Sequence, residues 1–200
     1  PTANDTVTGS LIGVKVQVGD AGDEAAAWFS ALLGDEVRLV ARTPDSELRI
    51  PESLDVFGQT IAFGDVAPVL VANTASLRWL QERAVEPFGM DRFRPNLVLS
   101  GLDAHAEDHL DEVILEGVDG PVRLKLVKPC GRCTIPDVDP VTAAQGHAIS
   151  DVLAGYRADA RLDGALTFGM NAVIVEGVER RLRVGASGKA SYKFDTLRDA

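Results

Sequence analysis

From Asn96 onward the chain is a succession of short extended runs, Leu97–Leu99, Glu112–Leu115, Val122–Val127, Leu166–Val175 and Arg181–Val184, rich in β-branched or large apolar residues. Gly, Asp and Pro stand between them, the residues that end strands and turn the chain. Many short strands with few helices bury their apolar faces by curling one sheet or stacking two. The expected fold is therefore mainly β with peripheral α-helices, a barrel or sandwich and not a doubly wound sheet. With 200 residues, 46% of them apolar and 25% charged, the chain has the composition of an ordinary globule. A chain of this length buries about 70% of the surface it exposes unfolded, enough for a core without metal or disulfide staples.

The first half carries the clearest helices. Ser10–Val18 alternates with period two in its second half and reads as a half-buried strand. Asp20 and Asp23 precede Glu24–Leu33, in which Trp28, Phe29, Leu32 and Leu33 share a helical face, and Gly34 follows as a stop. Val37–Ala41 reads as a strand and Arg42–Val56 as a loop. Pro68–Ala72 is a short apolar run ending at Asn73-Thr74, cap-type residues that introduce a helix over Ala75–Arg83 with Leu77, Leu80 and Ala84 on one stripe. Ile149–Arg157 reads as a further short helix. No internal repeat and no flexible linker divides the chain, which predicts one domain over 1–200, with about 10–190 folded.

Thirty acidic residues against twenty basic ones leave a formal charge of −10, a repulsive field that argues against nucleic acid or an anionic membrane surface as partner. No apolar run approaches the length of a membrane span, and Pro1–Gly9 lacks the basic start and apolar stretch of a secretory signal. The expected location is the cytoplasm.

Cys130 and Cys133 are the only cysteines, and a single C-x-x-C is no secreted disulfide framework. A strand delivers them, with Lys128, Gly131 and Arg132, into a turn closed by prolines. Pro129 has no N–H and argues that the ladder ends just before Cys130. Lys128 and Arg132 favour the thiolate of a neighbouring cysteine, the form that binds metals and attacks electrophiles. Four readings compete: two buried apolar thiols at a turn, a redox dithiol, a structural zinc site completed by His105 and His109, and one thiolate binding a metal held by an organic cofactor. The redox reading wants a helix N-terminus after the second thiol, and Thr134–Pro140 does not read as a helix.

Longer motifs bear on the choice. Phe93-Arg-Pro-Asn-Leu-Val-Leu-Ser-Gly101, Ala106-Glu-Asp108, Val127-Lys-Pro-Cys-Gly-Arg-Cys133 with Asp137-Val-Asp-Pro140, and Phe168-Gly-Met-Asn-Ala172 with Leu182-Arg-Val-Gly185 occur in an order and spacing that resemble the MOSC domain. Within that family the chain is similar to bacterial members related to the mitochondrial amidoxime-reducing component. The resemblance implies a closed β-barrel of MOSC type and a pyranopterin molybdenum cofactor whose metal is reached by Cys133, the catalytic and metal-ligating residue, with Cys130 in support. It further implies cofactor contacts from Arg94, Asn96, Asp65, Gly131, Arg132 and Lys128, and it brings pyridoxal phosphate binding as a second cofactor expectation.

Two departures stand out: Gly131 where relatives often have a hydroxyl residue between the cysteines, and Val66-Ala67 after Asp65 where relatives of the reductase branch have hydroxyls. Members of this branch carry a small β-rich domain upstream, and some add a ferredoxin-like domain downstream. The chain is expected to be the MOSC module alone, supplied with electrons by a ferredoxin or flavoprotein. The implied activity is two-electron reduction of small N-oxygenated, N-hydroxylated substrates. A carrier of cofactor or sulfur without turnover of its own is the alternative.

Overall fold

The computed structural model describes residues 5–11, 14–44, 46, 48–49, 60–61 and 67–193. The chain gathers into two compact units, Pro1–Val66 and Ala67–Ala200. Among the described residues no helix is long and apolar enough to cross a membrane.

In the first unit β1 (Asp5–Leu11) pairs antiparallel with β2 (Val14–Asp20), and β3 (Val40–Arg42) joins the other edge of β2. The single strand read over Ser10–Val18 is thus two strands. Alternating Val14, Val16 and Val18 form β2, with Val16 and Val18 buried, whereas the β-branched Thr6, Val7 and Thr8 supply β1. The helix α1 (Asp23–Leu33) ends at Gly34, whose φ of 70° lets its N–H reach the Ser30 carbonyl at 2.9 Å. Its apolar stripe is not core, since Trp28 and Leu32 are 60% and 64% exposed. A polar tether sets the rotation instead: Ser30 Oγ donates to the Val37 carbonyl at 3.1 Å and accepts from the Val37 N–H at 3.0 Å, and Ala26, on the Ser30 side, is buried. A short pair, β4 (Leu48–Arg49) and β5 (Thr60–Ile61), completes the unit.

The second unit contains β6 (Val69–Asn73), α2 (Thr74–Gln81), β7 (Leu97–Leu99), β8 (Leu110–Gly117), β9 (Gly120–Gly131), α3 (Ala148–Ala154), β10 (Ala158–Asp159), β11 (Ala165–Glu176) and β12 (Gly188–Tyr192). They form one sheet in the order β12-β8-β9-β11-β6-β7, with β10 added to β11, antiparallel except for β6 and β7. The runs read as Val122–Val127 and Leu166–Val175 are the centres of β9 and β11, which are neighbours. One core gathers Val71, Leu110, Val113, Leu124, Leu126 and Met170, and a second gathers Leu80, Phe93, Ile149, Leu153 and Phe168 between the sheet and α2 and α3. The α2 cap is as read: Asn73 Oδ1 accepts from the Ala75 N–H at 3.1 Å.

The sheet curls but does not close, which corrects the closed barrel. Its path ends at β7 and β12. A cleft of about 750 Å3, lined by Leu97, Leu99, Leu102, Val113 and Leu115 among others, separates those edges. Arg181–Val184, read as a strand, is irregular; Val118 N–H bonds the Arg181 carbonyl and Glu116 N–H the Ser187 carbonyl, both at 2.8 Å, so this segment stays with the β8–β9 hairpin instead of bridging to β7.

The ladder also does not end at Cys130. Strand β9 runs through Pro129 to Gly131, and of the three register shifts in its pairing with β11 two lie around Pro129. Thr167 faces Gly131 and Met170 faces Pro129, which leaves an extra residue on β11; Asn171 faces Lys128 and Ala172 faces Leu126, which leaves one on β9. The β8–β9 pairing stops at Glu112 and Lys125, so Pro129 sits where β9 is an edge on that side, a position that tolerates a missing N–H. Gly169 forms the β11 bulge with a φ of 77°, and a Cβ there would lie 2.7 Å from the Val71 carbonyl oxygen. Gly169→Ala is expected to cost about 1–3 kcal/mol through backbone strain and this clash. Gly131→Ala, whose Cβ would meet only Ala165 Cβ at 3.7 Å, should be neutral or stabilise by up to about 1 kcal/mol. Urea-unfolding midpoints of the two variants check both values.

Candidate functional site

At the end of β9 Cys130 is half-buried and Cys133 exposed, both as free thiols. Arg132 lies between them and faces inward. Its N–H donates to the Leu166 carbonyl at 2.7 Å, Nη1 to Cys130 Sγ at 3.1 Å, and Nη2 to the Phe93 carbonyl at 2.9 Å. The guanidinium stands 5.5 Å from the Phe93 ring centroid, and Phe93 stacks on Phe168 at 3.9 Å. Arg132 Nε is buried without an acceptor.

A second arginine, Arg92, ties the same two segments. Its Nη1 donates to the Pro136 carbonyl at 3.1 Å and its Nη2 to Asp139 Oδ2 at 2.8 Å. Beyond Cys133 the chain makes only a 3-10 turn, Ile135–Asp137, so the helix a redox dithiol would use is not there. Asp137 Oδ1 instead accepts from the Ile149 and Ser150 N–H groups at the start of α3, at 3.0 and 3.1 Å. Asp139 Oδ1 accepts from the Val141 and Thr142 N–H groups, which with Arg92 hold its carboxyl below the usual range. The Arg94-Pro-Asn96 turn and the cysteine loop are thereby bound at one end of the sheet.

Arg94 takes a left-handed backbone, φ 54°, and its exposed side chain has no partner among the described residues. Asn96 is engaged in the sheet: its N–H donates to the Leu70 carbonyl at 2.9 Å and its Oδ1 accepts from the Leu70 N–H at 2.7 Å. Lys128, half-buried beside the buried Asn171 in register, makes no hydrogen bond or ion pair with a described residue. Gly131 is exposed. Asp65 lies outside the described residues. Among the named site residues, the side chains of Arg132 and Asn96 thus have firm structural partners, whereas those of Arg94, Lys128 and Cys133 have none among the described residues.

The zinc tetrad is not assembled. Among the described residues no three of His, Cys, Asp or Glu come together as a metal site. His105 packs on Trp79 at 5.2 Å and lies 3.4 Å from the Tyr156 hydroxyl, and His109 is exposed elsewhere. Between the histidines, Glu107 is fully buried. Its Oε2 accepts from Ser76 Oγ at 2.7 Å and Asn73 Nδ2 at 3.2 Å, joining the start of α2 to this loop. Asp108 clamps Arg157 at 2.5 and 3.1 Å. These partnerships explain the Ala106-Glu-Asp108 motif, to which residue types alone assign no role.

The donor set suits an anionic group with a soft metal: an open thiol, two cations without a carboxylate partner among the described residues and a buried guanidinium N–H lacking an acceptor. Fold and motifs together define a MOSC module, and residues 58–187 match the MOSC domain family model; the chain belongs to that family. It is 36% identical over 162 residues to mitochondrial amidoxime-reducing component 1 of Homo sapiens, covering 78% of this chain and 47% of that protein. It is 35% identical to mitochondrial amidoxime reducing component 2 of Macaca fascicularis with the same coverage, and 35% identical to component 1 of Mus musculus over 71% of this chain and 42% of the mouse protein. The chain spans about half the length of these relatives.

Two measurements probe this scaffold. Arg132→Met removes both guanidinium bridges and is expected to lower stability by about 2 kcal/mol, read from the urea midpoint. Glu107 has its pKa raised, chiefly by burial. The folded state therefore holds a proton that the unfolded state releases, and this group's contribution to stability falls as pH rises from the ordinary carboxylate range through the raised value. Glu107→Gln, which keeps an acceptor for Ser76 and loses the charge, should flatten that part of the profile of melting temperature against pH.

Proposed function

We propose that the chain is a molybdenum-cofactor-binding oxidoreductase module that reduces N-oxygenated substrates, with electrons from an external ferredoxin- or flavoprotein-type donor. The observation that carries the reading is the unpartnered Cys133 thiol, on a loop tied by Arg132 and Arg92 to the turn that bears Arg94, within a chain homologous to amidoxime-reducing components. When bound, the cofactor supplies two-electron redox chemistry at its metal, with sulfur donors of its own.

The chain's residues divide the remaining work. Cys133 offers the soft anionic donor. Arg94 and Lys128 neutralise the anionic parts of the group, Arg94 as a planar fork and Lys128 as a point charge. Arg132 Nε, the Asn96 amide and the Gly131 N–H are further donors. Cys130, engaged by Arg132, supports the loop. Asp65 belongs to the same reading through the family motif alone.

Metal and pterin analysis of the protein from a cofactor-competent host, followed by reduction of a model hydroxylamine with an artificial donor, tests the proposal. Stoichiometric molybdenum with turnover is the expected result. Bound cofactor that exchanges without turnover would indicate the carrier, and pyridoxal phosphate in place of pterin would overturn the cofactor assignment. Cys133→Ala should lose metal-dependent turnover with an unchanged melting temperature, because an exposed thiol closes no core. Cys130→Ala should instead lower stability by about 1 kcal/mol, the scale of a modest core truncation.

A further inference from the structure

A cavity of about 400 Å3 lies against β9, β10 and β11, away from the exposed thiol; neither Cys133 nor Arg94 lines it. Three cations, Arg157, Arg161 and Lys193, line it together with two carboxylates, Asp108 and Asp159. Both carboxylates are fully engaged. Asp108 uses its two oxygens on Arg157, while Asp159 accepts from the Arg161 N–H and Nε at 2.9 Å and from Nη2 at 2.6 Å. The lining therefore carries one net positive charge in a chain of −10.

Donors remain where acceptors are used up. Lys193 follows β12, its N–H bonded to the His109 carbonyl, and its Nζ reaches the Leu126 carbonyl at 2.8 Å, on the side of β9 that β8 no longer covers. No described carboxylate pairs with it. Asp111, which attracts it through space, is bonded to Lys125 at 2.7 Å. Burial, with the neighbouring Lys125 and Arg161 cations, holds the Lys193 ammonium below its ordinary pKa despite the attraction of Asp111. Arg161 Nη1 has no acceptor among the described residues. Tyr156 also lines the cavity; its hydroxyl, with a pKa that burial pushes up to about 12, lies 3.4 Å from His105 Nε2. Such a lining wants a ligand made of acceptors.

We propose that this cavity binds a small oxyanion, a carboxylate or a phosphate, held by Lys193 Nζ with help from Arg161. The inference does not depend on the cofactor reading, since it concerns a separate set of side chains. Pro129 and Thr167 form part of the wall, and Thr167 is the register partner of Gly131, so an occupied site would touch both strands that lead to the cysteine loop.

Calorimetric titration of the purified chain with inorganic phosphate, and separately with acetate, at constant ionic strength is the test. Saturable one-to-one binding of at least one anion is expected, weakened by roughly tenfold in Lys193→Met and retained in Lys193→Arg. Phosphate alone or acetate alone identifies the oxyanion, and either supports the site. If Lys193→Met does not fold, Arg161→Met serves as the second variant and should weaken binding several-fold. Lys189→Met, on β12 outside this cavity, should leave it unchanged. No saturable binding to the unsubstituted chain, or equal affinity in Lys193→Met or Arg161→Met, overturns the proposal.

Discussion

A proline in the last stretch of a long strand, toward the turn, governs this structure. Strand β9 must pass Pro129, which donates nothing to a ladder, and still deliver Cys130 and Gly131 in register with β11. The sheet meets that demand by withdrawing β8 from the far half of β9 and, around Pro129, by slipping register once on β11 and once on β9. The slip on β11 needs Gly169, where the chain passes so close to Val71 that no side chain fits. Phe168, next to that bulge, stacks on Phe93. The same irregularity that admits the proline therefore also seats the ring that carries the Arg94 turn.

Two arginines convert this backbone arrangement into a fixed loop pair. Arg132 and Arg92 each donate to a carbonyl in the other motif, Phe93 and Pro136 respectively. Carbonyl acceptors hold these guanidinium groups through direction more than through net charge. Arg92 adds Asp139, and Asp137 attaches the loop to α3. The cysteine loop is thus anchored on both sides of Cys133 while the thiol itself remains open.

Much of the fold was legible, and the failures have physical causes. β8, β9, β11 and the Asn73 cap could be read because alternation, β-branching and capping act locally. β12 was missed because Gly188-Lys-Ala-Ser-Tyr192 is exposed throughout and has no apolar face to announce a strand. The neighbouring Arg181–Val184 looked more extended and is not. The stripe of Trp28 and Leu32 misled because Ser30, a polar residue, sets how α1 lies. Of the site, the resemblance could name Arg132 and Asn96, but only geometry shows that Arg132 faces Cys130 and Phe93 and that Asn96 completes the pairing of Leu70. Arg92 and Glu107 carried no local signal, since an arginine or a glutamate in a turn is ordinarily solvated.

Sorting the motif residues by partnership separates architecture from availability. Phe93, Asn96 Oδ1, Glu107, Asp137, Asp139 and two nitrogens of Arg132 all close contacts within the protein. Arg94, Lys128 and the Cys133 thiol have none among the described residues. Unpaired cations are the reverse of what a chain of charge −10 would retain at random, because thirty acidic residues are there to pair with them. An arginine and a lysine are thus left without a carboxylate partner among the described residues, one on the turn that Arg92 and Arg132 tie to the cysteine loop and one on β9. The same sorting into engaged carboxylates and free donors sets the Lys193 cavity apart, since neither Cys133 nor Arg94 lines it.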